Sequence, residues 1–123
     1  MICLDTNYLI RGVSEGTTEA AELVAWIEAG EILITPMLAW FEFLCGPVTE
    51  DQKTTMRAFL TAIIPFAEAE AVEAARLFNE IERKRPLRVD AMIAGTAITA
   101  KARLATRNRD DFRPFIAHGL TLV

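Results

Sequence analysis

Short apolar runs alternate with helical periods along this chain, and that alternation restricts the fold more than any other feature. The strand-like runs are Met1-Ile2-Cys3-Leu4, Glu31-Ile32-Leu33-Ile34-Thr35, Leu104-Ala105-Thr106 and Leu120-Thr121-Leu122-Val123. Between the first two, Ala20, Leu23, Val24 and Ile27 recur at i, i+3, i+4 and i+7, one face of a helix over 19–29 that Gly30 stops. Pro36 suits the first turn of a helix over 37–45, closed by Gly46-Pro47. Thr49 caps the next helix, which carries Met56, Phe59, Leu60 and Ile63 on one face until Pro65 ends it; residues 65–67 read as a brief extended segment. A helix over 68–85 has acids in its first turn and Arg83-Lys84-Arg85 in its last, matching the helix dipole, with Ala71, Ala74, Ala75, Phe78 and Ile81 as its buried face. A small-residue helix over 89–102 follows, in which Ala94, Ala97 and Ala100 permit close approach to a sheet, and 108–115 reads as a short helix or turn. Strands separated by helices form a parallel sheet covered on both faces. Strand order does not follow from the pattern.

A chain of 123 residues is expected to form a single domain, 1–123, burying about two thirds of the surface its unfolded form exposes. Disulfides are not needed at that size. Cys3 and Cys45 form no Cys-x-x-Cys pair and His118 is the single histidine, which argues against a disulfide scaffold or a zinc site. There is no basic segment leading into a long apolar one, and no uncharged run reaches the ~18 residues of a membrane span, so a cytoplasmic protein is expected. The net charge of −4 argues against a generally basic nucleic-acid binder. Its distribution matters more: Arg83 to Arg113 holds nine Lys/Arg against three acids, and the remainder four against fourteen. A basic tract in an acidic molecule can form a phosphate-facing rim, although helix surfaces carry Lys and Arg in any case.

Asp5 sits at the tip of the first strand, where open α/β sheets bind their ligands. Glu42 lies in the nearly apolar helix Leu38-Ala39-Trp40-Phe41-Glu42-Phe43-Leu44; an ionised acid there needs solvent, an arginine such as Arg11 or Arg57, or a function. Asp90 opens the densest helix beside the basic loop Arg85-Pro86-Leu87-Arg88, and Asn108 follows the 104–106 strand as Asp5 follows the first, with Asp111 one turn later. Each of these last three also suits an ordinary cap or turn. Together the five offer oxygen ligands without a competing histidine or thiolate set, the donor chemistry of Mg²⁺ or Mn²⁺. Clustered like charges are unfavourable without such an ion.

The order Leu4-Asp5-Thr6-Asn7, Glu42-Phe43-Leu44-Cys45-Gly46, Asp90-Ala91-Met92-Ile93-Ala94, then Ala105-Thr106-Arg107-Asn108 with Asp111-Phe112, resembles the PIN-domain nucleases. More narrowly, it resembles the VapC toxins of type II toxin–antitoxin pairs. The resemblance spans essentially the whole chain. It implies an α/β fold, a three-layer α/β/α sandwich with a central, mainly parallel sheet of four to five strands, and an endoribonuclease dependent on Mg²⁺ or Mn²⁺. By position Asp5, Glu42 and Asp90 correspond to the family's three principal acids, with Asp5 and Asp90 as direct metal ligands and Glu42 orienting the water or binding through the outer shell. Thr6 matches a supporting hydroxyl residue. The fourth acidic position falls on Asn108, which leaves Asp111 to supply the remaining charge. An antitoxin partner and a homodimer are also implied, and Trp26, Trp40, Met56, Phe59 and Leu60 are candidates for its surface or for plain core.

Such a site needs cations at its rim to hold RNA, and Arg85, Arg88, Arg107 and Arg109 are the candidates. His118 is not expected to serve as general base. Two other classes remain: a non-catalytic RNA- or protein-binding module, and a phosphoryl-transfer protein of receiver or haloacid-dehalogenase type. The dehalogenase type wants a second aspartate where Asn7 stands, and a receiver wants a central mid-chain strand carrying its aspartate.

Overall fold

In the computed structural model, which describes residues 1–123, strand β1 (Ile2–Leu4) leads into helices α1 (Thr6–Gly12) and α2 (Thr18–Glu28). There follow β2 (Leu33–Pro36), α3 (Met37–Cys45), α4 (Glu50–Phe59) and β3 (Ala62–Ile64). Then come α5 (Glu68–Glu80), a 3₁₀ turn (Arg85–Leu87), α6 (Arg88–Thr99), β4 (Arg103–Ala105) and α7 (Arg109–Ile116). All four strands pair in parallel in the order β3-β2-β1-β4. The chain steps outward from β1 to β3, then crosses back past β1 to lay down β4. The order thus reverses between β1 and β4, and the carboxyl ends of those strands flank the crevice that such sheets use for ligands.

Side chains alternate across the sheet because the strand period is two. Ile2, Leu4, Leu33 and Ala105 turn to one face and pack with Leu9, Leu23, Phe43 and Met56 of α1 to α4. Cys3, Ile34 and Leu104 turn to the other and pack with Leu77, Ile93, Phe112 and Phe115 of α5 to α7. These two clusters make the α/β/α sandwich. Each fully buried Leu or Phe among them stabilises the fold by about 1.5–3 kcal/mol, so the strand that presents Asp5 is held from both sides.

Several local expectations change. Helix α4 stops at Phe59, and residues 62–64 are the edge strand, where Ile63 lies beside Thr35. Two adjacent isoleucines satisfy a helix face and a strand equally well; pairing with β2 decides it. Pro65 then ends the strand, having no N–H to donate. Helix α5 stops at Glu80, since Glu82 and Arg83 take positive φ of 62° and 54°, leaving Arg83-Lys84-Arg85 beyond the helix. The final segment contributes one parallel bridge, Leu104 to Leu122, and no strand. The small residues of α6 serve α5 as well as the sheet: a Cβ on Gly95 would stand 2.8 Å from the Ala74 backbone nitrogen. Of the candidate dimer surface, Met56 and Leu60 are buried core, and Trp26, Trp40 and Phe59 pack against the same cluster.

Candidate functional site

Asp5 leaves β1 with its N–H still donating to the Ala105 carbonyl, at 3.0 Å, and becomes the N-cap of α1. Oδ1 accepts from the Thr6 N–H at 2.8 Å. Oδ2 accepts from the Thr106 hydroxyl at 2.7 Å and from the Asn7 carboxamide at 3.3 Å. The residue is only 4% exposed, so its orientation is fixed by the fold. Burial pushes the Asp5 carboxyl above the usual aspartate range, and the bonds from Thr106, Thr6 and Asn7 only partly offset that.

Glu42 comes from the middle of α3 and Asp90 from the first turn of α6. With Asp5, Thr6, Asn7 and Asn108 they line one cavity of about 540 Å³, whose remaining walls are Ile10, Leu38, Phe41, Val89 and Ile93. The arginines that were candidates to neutralise Glu42 are engaged elsewhere, Arg11 with Glu19 and Arg57 with the Leu60 carbonyl. Glu42 is raised by desolvation and by the negative charge of Asp5, against a smaller opposing effect of Thr6. Asp90 is raised from 3.8 to about 6 by desolvation, then by Asp5, Asp111 and Glu42. The positive end of a helix favours a carboxylate by only about 0.3–1 kcal/mol, and here burial and like charge outweigh it.

Asn108 occupies the N-cap position of α7 but makes no side-chain capping bond. Its N–H donates to Thr106 Oγ1 at 3.0 Å, and the residue lines the cavity. Asp111 is exposed on α7 and lies outside the lining, acting on Asp90 by charge alone. Among the basic candidates, Arg85 and Arg88 are exposed at the 3₁₀ turn before Asp90, with Arg88 over the Phe78 ring at 5.9 Å. Arg109 donates to the Val123 carbonyl at 3.0 Å. Arg107 is engaged elsewhere: Nε meets Glu19 at 2.9 Å, a terminal nitrogen meets Glu22 at 2.6 Å, and the guanidinium covers Tyr8 at 5.2 Å. That pairing competes with the phosphate contact expected of it.

Thr106 and Asn7 acquire roles that sequence reasoning did not assign. Thr106 links Asp5 to the start of α7, and Asn7 links Asp5 to the Arg107 N–H, which its Oδ1 accepts at 3.0 Å. The one available signal was a hydroxyl and a carboxamide at strand ends, a common turn pattern. The apolar wall also went unread, because Leu38, Phe41 and Ile93 look like helix core.

The cavity suits a hard cation. Its ligating atoms are all oxygens, and the charge of Asp5 raises both Glu42 and Asp90. No three acids stand close enough to enclose an ion by themselves. Mg²⁺ does not require that, since it commonly keeps several waters and takes one or two direct carboxylates.

A parallel three-layer α/β protein with carboxylates at the switch point between β1 and β4 is the class these observations define. The PIN domain family profile matches residues 2–115, and the chain belongs to that family. Among solved structures it is similar to a chain of a toxin–antitoxin complex from Klebsiella pneumoniae, with 28% identity, a TM-score of 0.72, and 91% and 90% of the two chains covered. VapBC2 from Rickettsia felis, bound to a DNA fragment from its promoter, gives 20% identity and a TM-score of 0.76 over 100% of this chain and 98% of that one. FitAcB from Neisseria gonorrhoeae gives 22% and 0.71, covering 100% and 97%. No curated protein matches. No helix is long and apolar enough to cross a membrane.

Proposed function

We propose that the chain is a metal-dependent endoribonuclease, the toxin of a toxin–antitoxin pair, hydrolysing phosphodiester bonds in tRNA, rRNA or mRNA. The observation that carries this reading is the meeting of Asp5, Glu42 and Asp90 around one cavity that no Lys or Arg lines. Like charges facing one cavity without a cation raise one another's pKa, and a site that needs a divalent ion explains them. Membership of the PIN family and the likeness to toxin–antitoxin complexes supply the biological setting. One PIN-like domain over 1–123, a cytoplasmic location, a cognate antitoxin and a homodimer complete the proposal.

Asp5 and Asp90 would hold Mg²⁺ or Mn²⁺ directly, with Glu42 through the outer shell. Such an ion, when bound, lowers the pKa of water and neutralises charge on the scissile phosphate. Asp5 is oriented by Thr106, Asn7 and the Thr6 N–H, so its carboxylate needs no rearrangement to act. Glu42, exposed at the mouth, orients the attacking water through its carboxylate oxygens. Asn108 would position further waters at the cavity wall, and Asp111, outside the lining, would act through its charge. The leaving strand is retained by Arg85, Arg88 and Arg109 at the rim.

Asn108 in place of a fourth acid favours one competing reading, a PIN-like module that binds RNA or protein without cutting. Both readings are separated by incubating the purified protein with total tRNA and rRNA in Mg²⁺, in Mn²⁺ and in EDTA, alongside Asp90→Asn. Discrete metal-dependent cuts that vanish in the variant establish the nuclease. Metal binding without cleavage supports the module.

A further inference from the structure

Phe41 is the one exposed aromatic residue of the chain, with 62% of its surface in solvent. It precedes Glu42 on α3 and lines the same cavity as Asp5, Glu42 and Asp90, together with Ile10, Leu38, Val89 and Ile93. Ile10, Leu38 and Ile93 pack into the two cores and wall the cavity in any case, whereas Phe41 and the half-exposed Val89 offer apolar surface that a phosphate group alone would not use. A nucleotide presents both chemistries at once, an anionic phosphate and a flat apolar base attached through one sugar.

We infer that Phe41 is a stacking platform for the nucleobase next to the scissile phosphate. This rests on the nuclease reading of the same cavity. A base within a duplex keeps its faces covered by its neighbours, so only an unpaired base can offer one to Phe41. The apolar walls carry no side chain that reads base edges, and the two carboxamides present, Asn7 and Asn108, lie with the acids; Asn7 is already bonded to Asp5 and the Arg107 N–H. Recognition at this position is thus by stacking and tolerant of sequence. A protein partner is the other chemistry that takes an apolar face, and it would also cover Met37 and Leu44, exposed one turn to either side of Phe41 but outside the cavity lining. Continuity with the carboxylates, and not with that stripe, selects the base.

The test uses a short single-stranded oligoribonucleotide carrying 2-aminopurine and the same sequence in a duplex, with the intact protein. Binding is read in Ca²⁺ by fluorescence quenching, and cleavage in Mg²⁺ by gel. For the single strand, Phe41→Ala is expected to weaken binding and lower the cleavage rate constant at subsaturating RNA by about 5- to 100-fold, the loss of one base–aromatic stack. Phe41→Trp restores both and the quenching, Phe41→Leu does not, Leu44→Ser leaves both unchanged, and the duplex binds weakly to every form. Circular dichroism checks folding, which an exposed position should not disturb. If the parent cuts and the Phe41 variants match it, or if Leu restores function as well as Trp, the stacking inference is wrong. Quenched binding that depends on Phe41, without cleavage, overturns the nuclease reading and keeps the platform. A parent that neither binds nor cuts overturns both.

Discussion

Glu19 and Asp90 are both acids held by the fold near the carboxyl ends of β1 and β4, and they titrate in opposite directions. Glu19, 3% exposed, faces Arg11 at 2.8 Å and Arg107 at 2.9 Å. Desolvation opposes its charge, but its own backbone N–H and the two guanidinium groups prevail and bring it down to about 2. Asp90 has no such partner and is pushed up to about 6 by burial, Asp5, Asp111 and Glu42. Asn7 joins the two regions, accepting the Arg107 N–H and donating to Asp5. The difference teaches that burial of a carboxylate is not itself a functional sign. A carboxylate matched by guanidinium groups ties α1, α2 and the loop after β4 together; carboxylates facing one another store a repulsion that a cation relieves.

The comparison is tested most strongly in catalysis. Asp5→Asn and Asp90→Asn are each expected to lower single-turnover RNA cleavage by at least about 100-fold, since even outer-shell partners of a catalytic metal are worth 10–100-fold. Unchanged circular dichroism would show that the fold survives. Activity that persisted in both variants would remove the acid cavity from the mechanism.

Glu19→Ala should be the larger disruption to stability, about 2 kcal/mol by urea unfolding. Removing one partner of a buried pair costs about 3–5 kcal/mol, and the half-exposed arginines reduce that. The folded pKa of about 2 lies below the ordinary glutamate value of 4.5, so this contribution is complete above about pH 4.5 and is lost as pH falls toward 2. The gap between parent and variant should close over that window.

Asp90→Asn should act with the opposite sign, raising stability in EDTA at pH 7 by about 1 kcal/mol, or about 4 °C in melting temperature. The folded state holds the Asp90 proton up to about pH 6, against 3.8 ordinarily, so the parent loses stability as pH rises between those values. The variant should not. Mg²⁺ should then stabilise the parent and leave the variant unmoved. A variant that melts lower than the parent in EDTA would show that the cavity stores no repulsion.

The smallest effect concerns the rim. Arg85→Ala with Arg88→Ala should lower the salt dependence of single-stranded RNA binding by a slope of about 1.4, about 0.7 for each lost phosphate contact. Arg107→Ala should instead resemble Glu19→Ala in its loss of stability. Equal salt effects from all three would mean that Arg107 leaves Glu19 to meet RNA.

Much of the architecture was legible because strand and helix periods are local. The strand opening at Ile2, the stop at Gly30, and the cap at Thr49, which forms a full capping box with Gln52, lie where the pattern puts them. Where the pattern failed, two structures satisfied the same residues: Ile63 suits a helix face or an edge strand, and Leu120–Val123 has strand composition but makes only one bridge. Asp5, Glu42, Asp90 and Asn108 were singled out by position and meet at one cavity. Asp111 stands outside the lining, and Thr106, Asn7 and Phe41 were missed, since a hydroxyl, a carboxamide or an apolar ring has no distinctive role until its neighbours are known.

The sequence by itself determined the alternating elements, the two-faced strands and the supply of acids without histidine or thiolate, because those are properties of residue type and spacing. Tertiary structure alone decided the strand order, which carboxylates face one another, and which arginines are already paired. Those outcomes depend on contacts between distant positions, such as Thr106 with Asp5 across 101 residues and Arg107 with Glu19 across 88. Charge and desolvation act through space, so the same carboxyl group becomes a strut at Glu19 and a strained acid at Asp90.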